Sequence, residues 1–596
     1  MSKWHYDKLY NVEIFREEAK DFLSGINRCR KIETVRDRLL QKVMWIYRNI
    51  NSDEPAHKLI RVRDCALALM SVLLERSDAK TGFSVTQSLW DISRRQPRSD
   101  LEAGFYAEMI NWIRGIEGRA MFQFLVQPSE KKEGLSGREQ ANIRSDELDL
   151  LWDIIEKRLG TYTSGLSEES RSNRERRRRK VLSQLEGDET DWNDWTWHVR
   201  HIITDTTILS KLTTVDETQC NIINRALGGR LPFGITPYYA SLMDDEPSRN
   251  DHAIRAQVFP PANYVDRMLL HRSTREHSFD YMLESNTSPI ELITRRYPGI
   301  VILKPVSTCP QICVYCQRNW EINQVMAPRS FANKEEINSA IKWLKSHPAV
   351  REILVTGGDP FIMSDNKLES LLNRLSEIKH IDLIRIGTRT LVTIPMRITK
   401  RFAEMLGSFR EVGKRDLAVI THIEHPYEIT QETAIAVDRL RRQGIGVYNQ
   451  QVYTFFVSRR FETTMLRILL RRIGIDPYYT FMPKGKEETN AYRVPITRVL
   501  QEQKEEARLV PGLRRTDEAV LNIPGLGKNY LRAIQHRDLL TVLPDGKRIY
   551  EFHPWEKNLV SCQTYLYKDI ANLDYLRRLS VIGDNPEDYD SIWFYM

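Results

Sequence analysis

The sequence predicts an α/β fold: a partial (β/α)6 barrel preceded by a mainly α-helical N-terminal extension. Two observations predict it. Across residues 296–510, short runs rich in β-branched and aromatic residues alternate with helical patterns, and such alternation means parallel βα units. Ahead of them, residues 1–165 space their apolar side chains near a helical period, as Ile110, Trp112, Ile113 and Ile116 do.

The elements follow in order. Strands are read at 300–306 (IVILKPV), 352–358 (EILVTGG), 383–388 (LIRIGT), 417–423 (LAVITHI), 446–453 (GVYNQQVY) and 477–482 (PYYTFM). Asn333 caps a helix with Ile337, Ile341 and Leu344 on one face, and Lys367 to Leu375 lies in the next. Segments 399–407, 430–443, 461–473 and 495–507 supply the remaining helices. Residues 127–148 read as a polar loop, and Glu168 to Leu185 as a solvated helix in a linker. The expected division is a helical domain 1–165, an Arg-rich linker 166–189, a helical lead-in 190–295, the barrel 296–510 and a C-terminal segment 511–596. In such a barrel, functional groups sit on loops after the C-terminal ends of strands.

Composition narrows the class. With 41% hydrophobic and 28% charged residues, the 596-residue chain is neither disordered nor fibrous. No apolar run approaches the roughly 18 residues of a membrane helix, and the opening MSKWHYDKLY lacks the apolar core of a secretory signal. A cytoplasmic protein without a membrane partner is expected. The net charge of +8 is concentrated in residues 171–180, which hold seven basic residues and one acidic. A nucleic-acid-binding role would rest on that block alone; a solvated helix is its plainer meaning.

Three of the seven cysteines fall together: Cys309, Cys313 and Cys316, spaced C-x3-C-x2-C just after the first barrel strand. Three thiolates from one loop suit three irons of a [4Fe-4S] cluster, leaving the fourth iron open. A structural zinc site is the competing reading, but it wants four protein ligands, and no fourth Cys or His lies close by.

That spacing is the signature of radical S-adenosylmethionine enzymes. From about 190 to about 556 the chain resembles the lysine 2,3-aminomutase family, through DWNDWTWHVR, ITPYYASLM, RRYPG, CPQICVYCQR, VTGGDP, IRIGTRTLVTIPMRIT, THIEHPYEIT, NQQVY, PYYTF, RVPIT and IPGLGK in order. The resemblance implies three cofactors: the cluster, S-adenosyl-L-methionine on its open iron, and pyridoxal 5′-phosphate. It implies that Gly357, Gly358 and Asp359 of the GGDP turn meet the methionine amino group, with His422 and Gln450 near the same cofactor. It implies that Lys528, in a glycine-rich IPGLGK one residue shorter than in the lysine enzymes, carries the pyridoxal phosphate, and that Arg296 binds its phosphate. The family's second phosphate arginine falls here on Ile300, with Arg295 as a substitute. An external electron donor of flavodoxin or ferredoxin type is implied; oligomeric state is not, since only Cys562 matches the lysine enzymes' cysteine-rich C-terminal zinc segment.

Arg318 matches the family arginine that binds the substrate's α-carboxylate. The two aspartates that hold the distal ammonium of lysine fall here on Lys484 and Asn522, the pair of the glutamate 2,3-aminomutase branch, with Lys486 as an alternative cation. The expectation is therefore a 2,3-aminomutase that moves the α-amino group of glutamate, or a similar acidic amino acid, to the β-carbon. Its rivals are lysine, free or on a protein substrate, and a regulatory nucleic-acid-binding protein with a degenerate enzyme domain.

Overall fold

The computed structural model describes residues 6–50, 53–120, 134–322, 324–554 and 563–596; Cys562 lies outside them. The chain forms two compact units, one of residues 161–493 and 508–528, the other of 1–160, 494–507 and 529–596.

In the first unit, β2 (Ile300–Val306), β3 (Glu352–Gly357), β4 (Leu383–Gly387), β5 (Asp416–Thr421), β6 (Gly446–Val452), β7 (Asp476–Phe481) and β8 (Glu518–Ile523) pair in parallel in chain order. The short β1 (Ile293–Thr294) pairs antiparallel with β2, and β9 (Gly527–Tyr530), which spans the unit boundary, ends the sheet. Helices Lys334–Lys345, Asp365–Ser376, Lys400–Gly407, Gln431–Arg442 and Glu462–Arg472 connect the strands. Their starts are set by local chemistry. Asn333 and Glu336 form a reciprocal capping box, and the hydroxyls of Thr399 and Thr430 accept the N–H groups of Phe402 and Thr433.

Alternation along each strand sorts side chains by face. Val301, Leu303, Ile353, Val355, Ile384, Ile386 and Val447 join the core beneath the helices. Lys304, Glu352, Arg385 and Tyr448 stand on the opposite face, half-buried. A bulge between β6 and β7 inserts Tyr478 as an extra residue, so Tyr478 and Tyr479 bring their rings to 4.0 Å on one side. The sheet must curve. Arg385 of β4 donates to the Tyr478 hydroxyl at 3.1 Å, and the Lys528 N–H in β9 donates to the hydroxyl of Tyr297, just before β2, at 3.1 Å. Flat, strands so far apart in order would lie tens of ångströms from each other at about 4.8 Å per strand.

The Arg-rich segment lies in this unit as helix Glu168–Gln184, not in a free linker. Arg177 is buried, donating to the Ser241 carbonyl at 2.8 Å and pairing with Asp244 at 2.7 Å. Arg174 is buried against the Gly165 carbonyl and Glu432, Arg176 pairs with Asp245, and Arg178 with Glu175 and Glu189. A helix that docks two arginines and neutralises its neighbours is a packed element rather than a solvated face.

The second unit joins the N-terminal helices to the end of the chain. Helices Ile32–Arg48, Ala56–Val72 and Ala103–Ile116 come together with helix Ile496–Glu505 and the antiparallel sheet of β10 (Arg537–Val542), β11 (Arg548–Phe552) and β12 (Tyr565–Lys568). A buried pair fastens them: Arg548 meets Glu108 at 2.7 Å, while Asn572 donates to the other Glu108 oxygen at 2.9 Å. Gly104 lies so close to Asp545 that a Cβ there would sit 2.5 Å from its carbonyl oxygen. This grouping differs from the expected separate segments 1–165 and 511–596, because these pairings link residues over four hundred positions apart, beyond any local pattern. The expected loop 127–148 is corrected in part: from Gly137 it is helix, to Leu159, capped by Ser136 and Glu139.

One close approach in the barrel unit generates a test. A Cβ on Gly358 would fall 1.9 Å from the Thr308 carbonyl oxygen, whereas nothing lies within 4 Å of one on Gly299. Gly358→Ala is expected to destabilise the protein by about 1–3 kcal/mol or more, as a core overpacking does. Gly299→Ala should leave thermal unfolding near that of the unaltered protein, and equal behaviour of the two variants would contradict the geometry.

Candidate active site

The cysteine loop leaves the C-terminal end of β2 and is held by backbone. Ser307 N–H donates to Ser330 at 2.8 Å, Val314 N–H to Gln257 at 2.9 Å and Ile312 N–H to Gly234 at 3.1 Å. From the end of β3, Gly358 N–H reaches the Val306 carbonyl at 2.5 Å and Asp359 N–H the Thr308 carbonyl at 2.9 Å. Gly357 is left-handed, with φ of 105°. The two glycines therefore serve a backbone-on-backbone contact between the turn and the cysteine loop.

Asp359 is engaged within its own scaffold. One carboxylate oxygen accepts from Phe361 N–H (3.0 Å) and the Thr388 hydroxyl (2.6 Å), the other from Arg389 N–H (2.8 Å) and the Thr390 hydroxyl (2.9 Å). Its acceptor positions are engaged in tying β3 to the loop after β4.

Burial pushes all three thiols up, Cys313 to about 11, and Cys309 is raised further by the charges of Asp359 and the other two sulfurs. Bound metal inverts that preference by taking the thiolate. The three thiols are partly buried on one loop, and three thiolates from one loop suit a four-iron cluster with one iron left open. Cys313 accepts a hydrogen bond from Arg389 Nη1 at 2.8 Å, and Cys316 one from Arg318 N–H at 3.3 Å. Arg389 went unnoticed in the sequence, where nothing separates it from the neighbouring arginines. Burial, then repulsion from Arg389, depresses His422 to about 4, so its ring is neutral, and its Nδ1 lies 2.8 Å from the Gln450 carbonyl.

A second cluster gathers cations. Arg318, 4% exposed, pairs with Glu284 at 2.8 Å and Glu321 at 3.2 Å. Arg296 meets the other Glu284 oxygen at 3.2 Å, and Lys304 meets Glu321 at 2.9 Å. Burial would raise the Glu284 carboxyl, but Arg318, Arg296 and Lys304 together hold it below the usual range, with Lys484 adding to them. Burial and then Arg296 push Lys484 well below an ordinary lysine. Four cationic side chains thus converge on two carboxylates. Buried Arg296 Nε and Arg318 Nη2 make no hydrogen bond among the described residues, and Arg296 Nη2 has the Glu284 ion pair alone. Buried donors of this kind want an anion. Glu284, Glu321 and Lys304 were not singled out from sequence; each is an ordinary charged residue until the strands place it here.

The alternatives weighed from sequence go elsewhere. Arg295 donates to the Pro298 carbonyl at 2.7 Å and lies over the Trp343 ring on an outer helix, so it does not replace the missing phosphate arginine. Lys486 pairs with Glu488 at 2.5 Å and donates to Asn319 at 2.8 Å. Asn522 is half-buried on β8.

Lys528 follows a turn in which Gly525 and Gly527 are both left-handed, and a Cβ on Gly527 would meet the Tyr297 hydroxyl at 2.7 Å. Its Nζ lies 4.3 Å from the Tyr479 ring centroid. Burial first, then the Arg385 charge, lower the amine to about 8, with Glu352 opposing. A partly buried amine against an aromatic face fits attachment of a carbonyl cofactor.

Comparisons with known proteins place the chain among relatives. Residues 303–455 match the model of the Radical SAM superfamily. The chain is 39% identical over 595 residues to an uncharacterized KamA family protein of Methanocaldococcus jannaschii, covering 96% of this chain and 95% of that one. It is 34% identical over 301 residues to a glutamate 2,3-aminomutase of Clostridioides difficile, covering 50% of this chain and 67% of that one. It is 33% identical over 320 residues to an L-lysine 2,3-aminomutase of Acetoanaerobium sticklandii, covering 53% and 71%.

The Lys528 environment sets a pH dependence. Because its amine is lowered to about 8, the proton leaves through pH 8 rather than near pH 10.4. Reductive methylation with formaldehyde, read by peptide mass spectrometry, should reach half its maximal rate at Lys528 near pH 8. A midpoint near that of exposed lysines would show that burial does not depress this amine.

Proposed function

The chain belongs to the KamA family of radical S-adenosylmethionine enzymes, and from that premise we propose that it moves the α-amino group of an acidic amino acid, glutamate or a close analogue, to the β-carbon. The coarser statement is established: it is a radical S-adenosylmethionine isomerase of the aminomutase type, working with a four-iron cluster. The substrate, the use of pyridoxal phosphate and the residue roles belong to the proposal.

The observation that carries the acidic substrate is the cation excess around Glu284. A distal ammonium brought to Lys484, Arg296 and Lys304 would be repelled and stripped of water, a penalty of several kcal/mol. A distal carboxylate would be welcome, and would favour the charged form of Lys484 that burial and Arg296 disfavour. In this reading Arg318 clamps the α-carboxylate, Arg296 takes the cofactor phosphate, and Lys528 offers its amine to the cofactor. Cys309, Cys313 and Cys316 hold the cluster. The bound cofactors supply a radical able to take a β-hydrogen and a π-system through which nitrogen can shift. The protein's part is to fix the substrate carboxylates, keep water out behind Tyr478 and Tyr479, and present an amine whose proton leaves near pH 8. One electron must enter from an external low-potential donor. Nucleic-acid binding has lost its motivation, since the Arg-rich helix is docked and paired.

The decisive assay offers glutamate, lysine, aspartate, glutamine and arginine to the reconstituted protein in separate tubes, with products separated and weighed. β-Glutamate without β-lysine is expected; β-lysine would keep the chemistry and overturn the pocket reading. Lys484→Met should lower kcat/KM for glutamate about 30-fold or more, since truncating one member of a buried charge pair costs about 2–5 kcal/mol. Lys528→Ala should abolish turnover while cluster absorbance stays intact, and turnover retained by that variant would remove Lys528 from its role.

A further inference from the structure

We infer that Arg389, clamped by Glu428, is a positioning residue that tunes the iron–sulfur cluster by donating a charged hydrogen bond to the Cys313 sulfur. The inference rests on the three cysteines holding the cluster and goes beyond the reaction itself.

Arg389 lies two residues past β4, and every part of its side chain is fixed. Nη1 donates to Cys313 Sγ at 2.8 Å. Nη2 donates to Glu428 at 2.6 Å, to the Tyr239 hydroxyl at 3.3 Å and to Gln257. Nε reaches the His422 carbonyl at 3.3 Å, and the guanidinium lies 5.4 Å from the Tyr239 ring centroid. Glu428 is itself fully buried and held by Glu424 N–H at 2.6 Å and His425 N–H at 3.3 Å. At the other end, Arg389 N–H is anchored to Asp359, the carboxylate that ties β3 to this loop. The guanidinium therefore cannot swing away without breaking a network drawn from five segments of the barrel unit.

The three sulfurs are not equivalent. Cys316 receives a neutral donor, the backbone N–H of Arg318. Cys313 receives a cationic donor, and charge-assisted bonds are roughly twice as strong as neutral ones. Cluster potentials respond to hydrogen bonds at sulfur and to net charge nearby. Reduction adds one electron from the external donor and no bond changes partner; the added charge spreads over iron and sulfur. A guanidinium held against one ligand sulfur favours the reduced form and raises the potential, and the Glu428 carboxylate trims that effect. Loss of Arg389 and loss of the Glu428 charge should then act in opposite directions.

The test is a redox titration of the full-length, cluster-reconstituted protein without S-adenosylmethionine, followed by electron paramagnetic resonance, with iron and sulfide analysis of every sample. Arg389→Gln is expected to lower the reduced-to-oxidised ratio about tenfold at the unaltered protein's midpoint, about 59 mV for a one-electron couple. Arg389→Lys should recover part of that loss, and Glu428→Gln should shift the midpoint upward. An unchanged midpoint in Arg389→Gln at full iron content overturns the inference. So does a shift seen only after S-adenosylmethionine is added, which would make Arg389 a ligand of that cofactor instead. If Arg389→Gln fails to fold or load iron, an unchanged or lowered midpoint in Glu428→Gln overturns it equally. Absence of a four-iron signal in the unaltered protein would instead remove the cluster assignment, a failure distinct from the others.

Discussion

The candidate site depends on one backbone contact, the seating of the Gly357–Gly358–Asp359 turn against the residues that lead into Cys309. Gly358 and Asp359 N–H groups close on the carbonyls of Val306 and Thr308, a separation that any Cβ at Gly358 would forbid. Asp359 then extends the contact to Thr388, Arg389 and Thr390. The C-terminal ends of β2, β3 and β4 are thereby locked as one rigid platform, with the three sulfurs on it and the Arg389 guanidinium against one of them. A buried carboxylate accepting four hydrogen bonds can hold three loops in register, which no single side-chain pair between exposed loops could do.

A second constraint is electrostatic. Lumen-facing strand positions in a βα barrel are ordinarily filled by apolar side chains, yet here they include Lys304, Glu352 and Arg385. Their charges are arranged in two groups. Arg385 and Glu352 pair, and Lys528, lowered to about 8 first by burial, feels Arg385 push its amine down and Glu352 oppose it. Arg296, Lys304, Arg318 and Lys484 outnumber Glu284 and Glu321, so the site is built to receive negative charge. The same low-dielectric surroundings that make an unmatched cation costly make a matched carboxylate selective. Substrate choice and cofactor phosphate binding are in this view two uses of one buried field.

The Arg-rich helix shows how composition misleads. Seven basic residues in ten suggest a surface for polyanions, but Arg174 and Arg177 are buried under carbonyls and carboxylates of the barrel unit, and their neighbours are paired. Likewise, the polar stretch after residue 136 forms a long helix, because Ser136 and Glu139 cap it and its Glu, Arg and Leu content favours helix over loop. In both places the charges were legible and their partners were not.

What the sequence by itself determined is whatever arises within a few residues: the strand–helix rhythm, the capped helix start at Asn333, the three cysteines after the first barrel strand, and a lysine behind a glycine-rich turn. Period, cap and spacing are local, so they survive in a one-dimensional reading. The tertiary structure alone decided that Asp359 serves its own scaffold, that Arg389 meets Cys313, that Glu284 gathers Arg296 and Arg318, and that Glu108 of the N-terminal helices pairs with Arg548 near the end of the chain. These are contacts between residues from 12 to 440 positions apart. They are set by strand register and by the curvature that brings the first and last strands together at Tyr297 and Lys528. Nothing in either partner's immediate neighbourhood encodes the other.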